Sequence, residues 1–255
     1  MVGKVKQEVG MRTVKLWFVA VCGVAMLGVA HAELSCELGI LTAATLEGNN
    51  PATGEPWQVG DQYRLVFISS TSVDPKNEAA NDIAYWNDAI QAIANSATSN
   101  DLSSVSWKII GSTESVDARD NTSTNPNVDG TGHAIFPMDG SSAFENNFED
   151  LWDGVAPQNN VWFDENGVAL DDSTAVNWPL TGSSTDGTAA GSALRNVTAS
   201  GQIRQGRPAY LDGRGWINAN NIGANWFSNS ALSVYGMSEP LTIQGPVAGT
   251  ILSIE

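Results

Sequence analysis

The apolar positions of this chain change their spacing along its length, and each spacing predicts a different kind of segment. A continuous apolar run from Leu16 to Ala30 follows Lys4, Lys6, Arg12 and Lys15 and closes on Ala30-His31-Ala32. Small side chains two places apart fit the paired pockets of a signal peptidase, so residues 1–32 are predicted to be a cleavable secretory signal peptide. The run falls short of the ~20 residues that a spanning helix needs, which favours cleavage over a retained anchor. Met11 offers a second start, because Met-Arg-Thr-Val-Lys already makes a complete basic n-region. A lipid anchor is disfavoured. Cys22 lies inside the apolar run, and Glu33 stands three places before Cys36, where an aliphatic residue would be needed.

Residues 33–60 are polar and broken by Asn49-Asn50-Pro51 and Gly54-Glu55-Pro56, which predicts an N-terminal arm packed on the edge of a domain. From Tyr63 to Ser69 the residues are β-branched, aromatic and alternating, the pattern of a first core strand. Asp74-Pro75 then reads as an N-cap with proline at the first helical position. Between Ala79 and Ala97, Ile83, Trp86, Ile90 and Ile93 recur three and four places apart, one buried stripe of an amphipathic helix. Strands are predicted again at 105–110 and 133–138. Asn166-Gly167, between Val161–Phe163 and Val168–Leu170, supplies the left-handed residues of a tight hairpin turn. A last strand is expected from Ala231 to Tyr235, running on towards Leu241–Ile243. Together these predict an α+β fold: one domain over residues 61–245, with a long N-terminal helix, a strand before it, a loop-rich antiparallel sheet after it, and a C-terminal tail at 246–255.

Composition narrows the chemistry once the signal is set aside. From 255 residues, 32 leave and 223 remain, enough for one domain with a substantial core. Four of the 12 basic and one of the 28 acidic residues leave with the signal, so the remainder carries 8 against 27, a net charge of −19. Such a surface repels nucleic acid, anionic membranes and sulfated polyanions, and suits neutral sugars, cationic groups or Ca²⁺. One cysteine, Cys36, and one histidine, His133, remain. They exclude an intrachain disulfide and a zinc site of the usual His/Cys kind. A Ser-His-Asp triad could draw only on His133, and the sequence has no Gly-x-Ser-x-Gly elbow.

Two polar constellations remain as candidates. The first runs from Asp117, Arg119, Asp120 and Asn121 to Asn125, Asn127, Asp129 and Gly130. Its second half places oxygen-bearing side chains at alternate positions before a glycine, as the start of a calcium loop does. Position one is Asn and position twelve is Phe136, so half the motif is present, and an Asx/Gly turn cluster with Arg119 held by a carboxylate fits the same residues. The second is Asp150-Leu-Trp152-Asp153-Gly154, where an indole between two acids could stack on a sugar ring or fill the core. Of the eight tryptophans outside the signal, Trp107, Trp162 and Trp178 lie in strand-like runs and are expected in the core. Trp216 and Trp226 lie in Gly/Asn-rich loops that also hold Asn218, and these are candidates for ligand contact. A glycosidase would need two carboxylates facing each other, for which Asp150 with Asp153 or Asp171 with Asp172 are the available pairs.

Several ordered blocks carry a resemblance: Trp107–Ser112, Val116–Thr122, Asp150–Gly154, Thr185–Gly191 and Val234–Glu239. They are similar to a group of bacterial exported proteins, many of which end in a PEP-CTERM sorting tail. More remotely, their order across about residues 62–245 resembles endostatin, a collagen module with a C-type lectin-like fold. In that comparison Leu65–Ser69 and the helix at 79–97 correspond to its opening strand and helix. Ala134–Gly154 corresponds to its middle strand and the segment after it, Val161–Leu170 to its hairpin, and Trp178–Gly187 to its Trp-Gly-Ser stretch. The resemblance implies the fold but not heparin binding, because endostatin's disulfides are missing and its basic surface is replaced by an acidic one. The last residues, Thr250–Glu255, lack the Val-Pro-Glu-Pro, apolar helix and basic end of the sorting tail, so release outside the cell is expected. The expected role is a secreted, non-catalytic binding or matrix protein with an extracellular polysaccharide or protein as partner, Ca²⁺ as the one candidate ion, and no part inserted in the membrane. A secreted carbohydrate-active hydrolase with an Asp/Glu pair is the alternative.

Overall fold

Strand Gln62–Ile68 lies inside the protein with both faces covered, and the rest of the chain is arranged around it. A computed structural model describes residues 34–170, 178–197, 201–208, 215–223 and 232–245. The signal segment, the tail at 246–255, Asp171, Asp172 and Trp226 lie outside the described residues. In chain order the strands are β1 (Ser35–Cys36), β2 (Gln62–Ile68), β3 (Trp107–Ile109), β4 (Ala134–Pro137), β5 (Gln202–Gln205), β6 (Asn220–Gly223), β7 (Tyr235–Ser238) and β8 (Leu241–Gln244). The helices are α1 (Ala43–Glu47), α2 (Ile83–Asn95), α3 (Ala118–Asn121), α4 (Pro126–Asp129), α5 (Phe148–Trp152) and α6 (Gly215–Asn218).

The main sheet runs β1-β8-β2-β7-β3, with β4 also paired to β2, and β5 and β6 form a separate two-stranded sheet. This is a mixed α+β arrangement with antiparallel pairing throughout, except that β4 lies parallel to β2. The expectation of an antiparallel sheet is corrected at that pair. Between β2 and β4 the chain passes through α2, β3, α3 and α4, and a long crossover of this kind returns a strand in its original direction. The β5–β6 pair was not predicted. Asn220-Asn221-Ile222-Gly223 has a single apolar residue and reads as loop.

Alternation along β2 separates two cores. Tyr63, Leu65 and Phe67 face the first, with Trp86 and Ile90 of α2, Trp107 and Ile109 of β3, and Phe136. Val66 and Ile68 face the second, with Ile135, Phe144, Trp152, Trp216, Tyr235 and Met237. Each large side chain so buried contributes roughly 1.5–3 kcal/mol. Residues 34–60 run along the β8 side, where β1 closes the sheet and Trp57 is buried, its Nε1 donating to Thr45 O at 3.1 Å.

Helix α2 starts later than predicted. Asp74 accepts from Lys76 N and caps only a turn, whereas Asn77 caps a 3₁₀ turn at Glu78–Asn81 and Asp82 accepts from Ala84 N to begin the α-helix. Trp86 and Ile90 are fully buried, while Ile83 and Ile93 are partly covered. The helix also serves the sheet through its polar side. Asn87 Oδ1 accepts from Ile109 N (3.0 Å) and Gln91 Oε1 from Trp107 N (2.8 Å), so two side chains replace a missing strand neighbour on the β3 edge. The spacing matches because four helical residues rise about 6 Å and two strand residues about 6.6 Å. Asn121 of α3 joins this seam, donating to Ile109 O (2.8 Å) and exchanging amide hydrogen bonds with Asn87 in both directions (2.9 and 3.0 Å).

The hairpin at 161–170 forms, but of the Asn-Gly pair only Gly167 takes the left-handed conformation. Phe163 bridges Ala169, Gly167 has φ 72°, and the Asp164 carboxylate accepts from Asn166 N and Val168 N, each at 2.9 Å.

Replacing Asn87 with Ala leaves Ile109 N–H and both polar ends of the Asn121 amide short of a partner in a covered seam. A loss of about 2–3 kcal/mol is expected, read as a lower urea midpoint at unchanged slope. An unchanged midpoint would show that the seam contributes nothing.

Candidate functional site

The site is built by a break in the strand opposite β2. Tyr63 pairs with Leu241 and Val66 with Met237, so Arg64 and Leu65 face three residues, Ser238, Glu239 and Pro240. That is a β-bulge, one residue longer on the β7–β8 side. Its cause is local: Pro240 has no N–H to give the ladder, and Ser238 supplies a substitute by accepting Leu65 N at its Oγ, 2.9 Å away. The extra residue changes which face each side chain takes. Leu241 and Ile243 point to the first core, whereas Tyr235 and Met237 point to the second.

Beside the bulge opens a cleft of about 390 Å³, lined by Arg64, Ser106, Lys108, Thr122, Ser123 and Glu239 with Met237, Ser238 and Pro240. Arg64 stands on the second-core face of β2 and is only 5% exposed. Its Nη1 donates to Thr122 O (3.0 Å) and Ser238 O (2.9 Å), and its Nη2 to Ser123 O (3.2 Å). The guanidinium carbon lies 5.3 Å from the Phe148 ring centroid. Ser123 takes a left-handed φ of 53°, uncommon for a residue with a Cβ, and its carbonyl is one of those on the guanidinium. Burial lowers the Arg64 pKa to about 10, against the opposing charges of Asp129 and Glu239, so the side chain stays cationic at neutral pH. Glu239 is held at the rim, its Oε1 accepting from Ser106 N (3.1 Å). Among the described residues the ion pairs are Arg119 with Asp117 and Arg195 with Glu114, so neither Arg64 nor Lys108 has a carboxylate partner.

His133 lies edge-on to Phe148 with ring centroids 5.8 Å apart, and burial, then the Arg64 charge, lowers its pKa. The imidazole is therefore neutral near pH 7 and belongs to the packing beneath Arg64.

The residues singled out from sequence fall elsewhere, and most are occupied. Trp152 is 6% exposed, donates from Nε1 to Thr124 O and Oγ1 (3.0 Å each), and is covered by Gly187. A Cβ on that glycine, which has φ 75°, would stand 2.7 Å from the ring. Trp216 is 2% exposed, with Phe144, Trp152 and Tyr235 at centroid distances of 5.1, 5.9 and 5.8 Å. Both indoles are core pillars and present no free face to a sugar; Trp216 lies on α6, which packs into the second core. Trp107 is buried as expected, but Trp178 is half-buried with the Arg207 guanidinium 4.8 Å from its ring centroid. Asp153 is exposed and caps a turn by accepting from Val155 N, and Asp150 accepts from Asn146 Nδ2. Asn218 ends α6, partly exposed.

The half calcium motif is also corrected. Asn125 Oδ1 accepts from Asn127 N (3.1 Å), capping α4, and Asp129 Oδ2 accepts from Asn125 N (2.9 Å). Asn125 Nδ2 donates to Asp120 at 2.6 Å. Asn125 Oδ1 and Asp129 Oδ2 thus accept from backbone N–H groups of the turn itself, and among the described residues no group of three or more His, Cys, Asp or Glu could hold a metal ion. Asp117 accepts from Ala189 N, Arg119 reaches Asp186 O and Asp117, and Asn121 belongs to the α2–β3 seam, so this cluster ties loops together.

Sequence reasoning missed Arg64, Lys108 and Glu239. The available signals were one cation inside an otherwise apolar strand and the Ser-Glu-Pro interruption of the last strand. It also missed Glu145, 1% exposed, with Oε1 unpartnered. Burial first, then the charges of Asp150 and Asp153, push its pKa up to about 9. Among the described residues no helix is long and apolar enough to cross a membrane. Comparison with protein-family models and with curated proteins finds no match to this chain.

Glu145 makes stability pH-dependent in a defined direction. The folded state keeps its proton to about pH 9, while the unfolded chain releases it near the ordinary value of 4.5, so stability falls as pH rises between the two. Glu145→Gln removes that slope. In thermal melts at pH 5, 7 and 9 the variant should gain on the parent progressively; a gap that does not change with pH would overturn the assignment.

Proposed function

We propose that this chain is an exported, non-catalytic binding or matrix protein with a C-type lectin-like domain, and that it takes an extracellular carbohydrate or protein group into the cleft beside the bulge. The observation that carries this is the cleft itself. It is a recess of small-molecule size whose walls combine four hydroxyl-bearing residues, a rim carboxylate and two cations. Sugar hydroxyls both donate and accept, and such a mixed wall answers both. The proposed fold is supported by the order of the elements: an opening strand at β2, the long helix α2, the β4 strand with α5, then the 161–170 hairpin, each where the resemblance to endostatin put its counterpart. The predicted signal peptide supports release outside the cell.

A hydrolase would ask for two carboxylates across a cleft. Among the described residues, Asp150 lies mid-way along α5 and Asp153 caps its end, accepting from Asn146 and Val155, and Glu145 is enclosed in protein where a substrate bond could not reach it. The binding reading is therefore the one the geometry favours.

A glycan array probed with the exported protein tests it. Binding to a defined subset of glycans is expected, unchanged when EDTA is added, since Asn125 Oδ1 and Asp129 Oδ2 already accept from backbone N–H groups. A silent array would remove carbohydrate as the ligand, and loss of signal on EDTA would restore a calcium-bridged mode.

A further inference from the structure

Cations are scarce in the exported chain, and two of the eight outside the signal line one cleft. Lys108 projects from β3 on the same sheet face as Met237, its register partner, and Arg64 lies on that face of the neighbouring strand β2. Neither has a carboxylate partner among the described residues. A buried cation without an anionic partner is costly, and backbone carbonyls return only part of the lost solvation. A guanidinium has five N–H donors. Three hydrogen bonds to Thr122, Ser123 and Ser238 are made from Nη1 and Nη2, which leaves one Nη2 hydrogen, while Nε is enclosed without a partner. The Lys108 ammonium is exposed and free to swing over the opening.

We propose that this cleft receives the carboxylate of a single acidic sugar, a hexuronate at a chain end, with the anion between Lys108 and the free edge of Arg64 and the ring hydroxyls against Ser106, Ser123 and Glu239. The inference rests on the binding reading above and specifies its ligand class. Its chemistry follows from the wall. A carboxylate completes the two cations with charge-assisted hydrogen bonds. Glu239, fixed by Ser106 N–H through Oε1, keeps its other oxygen to accept from a sugar hydroxyl and disfavours a second anion nearby. A terminal residue is required instead of a polyanion, because charges beyond a Debye length of ~8 Å meet a surface with a net charge of −19. Asp129, whose charge reaches Arg64, adds to that repulsion.

The test is titration calorimetry of the exported protein with glucuronate, glucose and glucose 6-sulfate. Saturable binding of glucuronate is expected, roughly tenfold or more tighter than glucose, and weakened by added NaCl. The sulfate ester separates a requirement for any anion from one for carboxylate: binding equal to glucuronate would overturn the carboxylate assignment. Lys108→Glu should weaken glucuronate at least tenfold while keeping the parent's melting temperature, and Lys76→Glu, a control away from the cleft, should leave it unchanged. Arg64→Lys is a second probe only if it melts as the parent does. Equal affinity for glucose and glucuronate, or an unaffected Lys108→Glu, overturns the proposal while the binding reading stands. If glucuronate fails to bind although the glycan array is positive, the proposal alone falls; if the array is silent as well, the proposal falls together with the carbohydrate form of the binding reading.

Discussion

A strand covered on both faces can hold almost nothing but apolar side chains, and β2 meets that demand at every position from Tyr63 to Ile68 except one. Arg64 brings a charge into a place where an unsolvated cation would cost several kcal/mol. The surrounding chain supplies part of what water would have given. Thr122 and Ser123 contribute carbonyls from the end of α3, Ser238 contributes one from the bulge, and Phe148 lies against the guanidinium. Each of these comes from a different part of the sequence, so a single side chain ties the crossover, the closing strand and the α5 region to the centre of the sheet. The cleft is what remains beside that knot.

The parts of the fold legible in the sequence are those set by short-range periodicity. Strand β2 declared itself by its β-branched and aromatic residues, α2 by its three- and four-residue stripe, and the 161–170 hairpin by an Asn-Gly pair whose glycine takes the left-handed place. The start of α2 was misplaced because Asp74, Asn77 and Asp82 are equally good caps and only tertiary packing chooses among them. The parallel pairing of β4 and the β5–β6 sheet rest on contacts between distant segments, and no local pattern encodes either.

The site was less legible than the fold, for a related reason. Asn125, Asn127 and Asp129 have the composition of an ion-binding loop and of a capped turn alike, and what separates the two is the direction of a few oxygens. The tryptophan at 216 sits among glycines and polar residues in the sequence, which suggested exposure, yet on α6 its ring is packed among Phe144, Trp152 and Tyr235. The seam between α2 and β3 carries a similar lesson. Asn87 and Gln91 lie outside the apolar stripe of α2, and they finish the hydrogen bonding of a sheet edge that would otherwise be open to another chain.

The bulge at Ser238–Pro240 has a consequence for how this chain can vary in length. Odd-numbered side chains serve one core before it and the other core after it, so the extra residue sets the phase of the whole closing strand. Removing one residue there would turn Tyr235 and Met237 away from the core they fill, or else turn Leu241 and Ile243 away from theirs. Along this segment of the chain, the number of residues is under as tight a constraint as their identity.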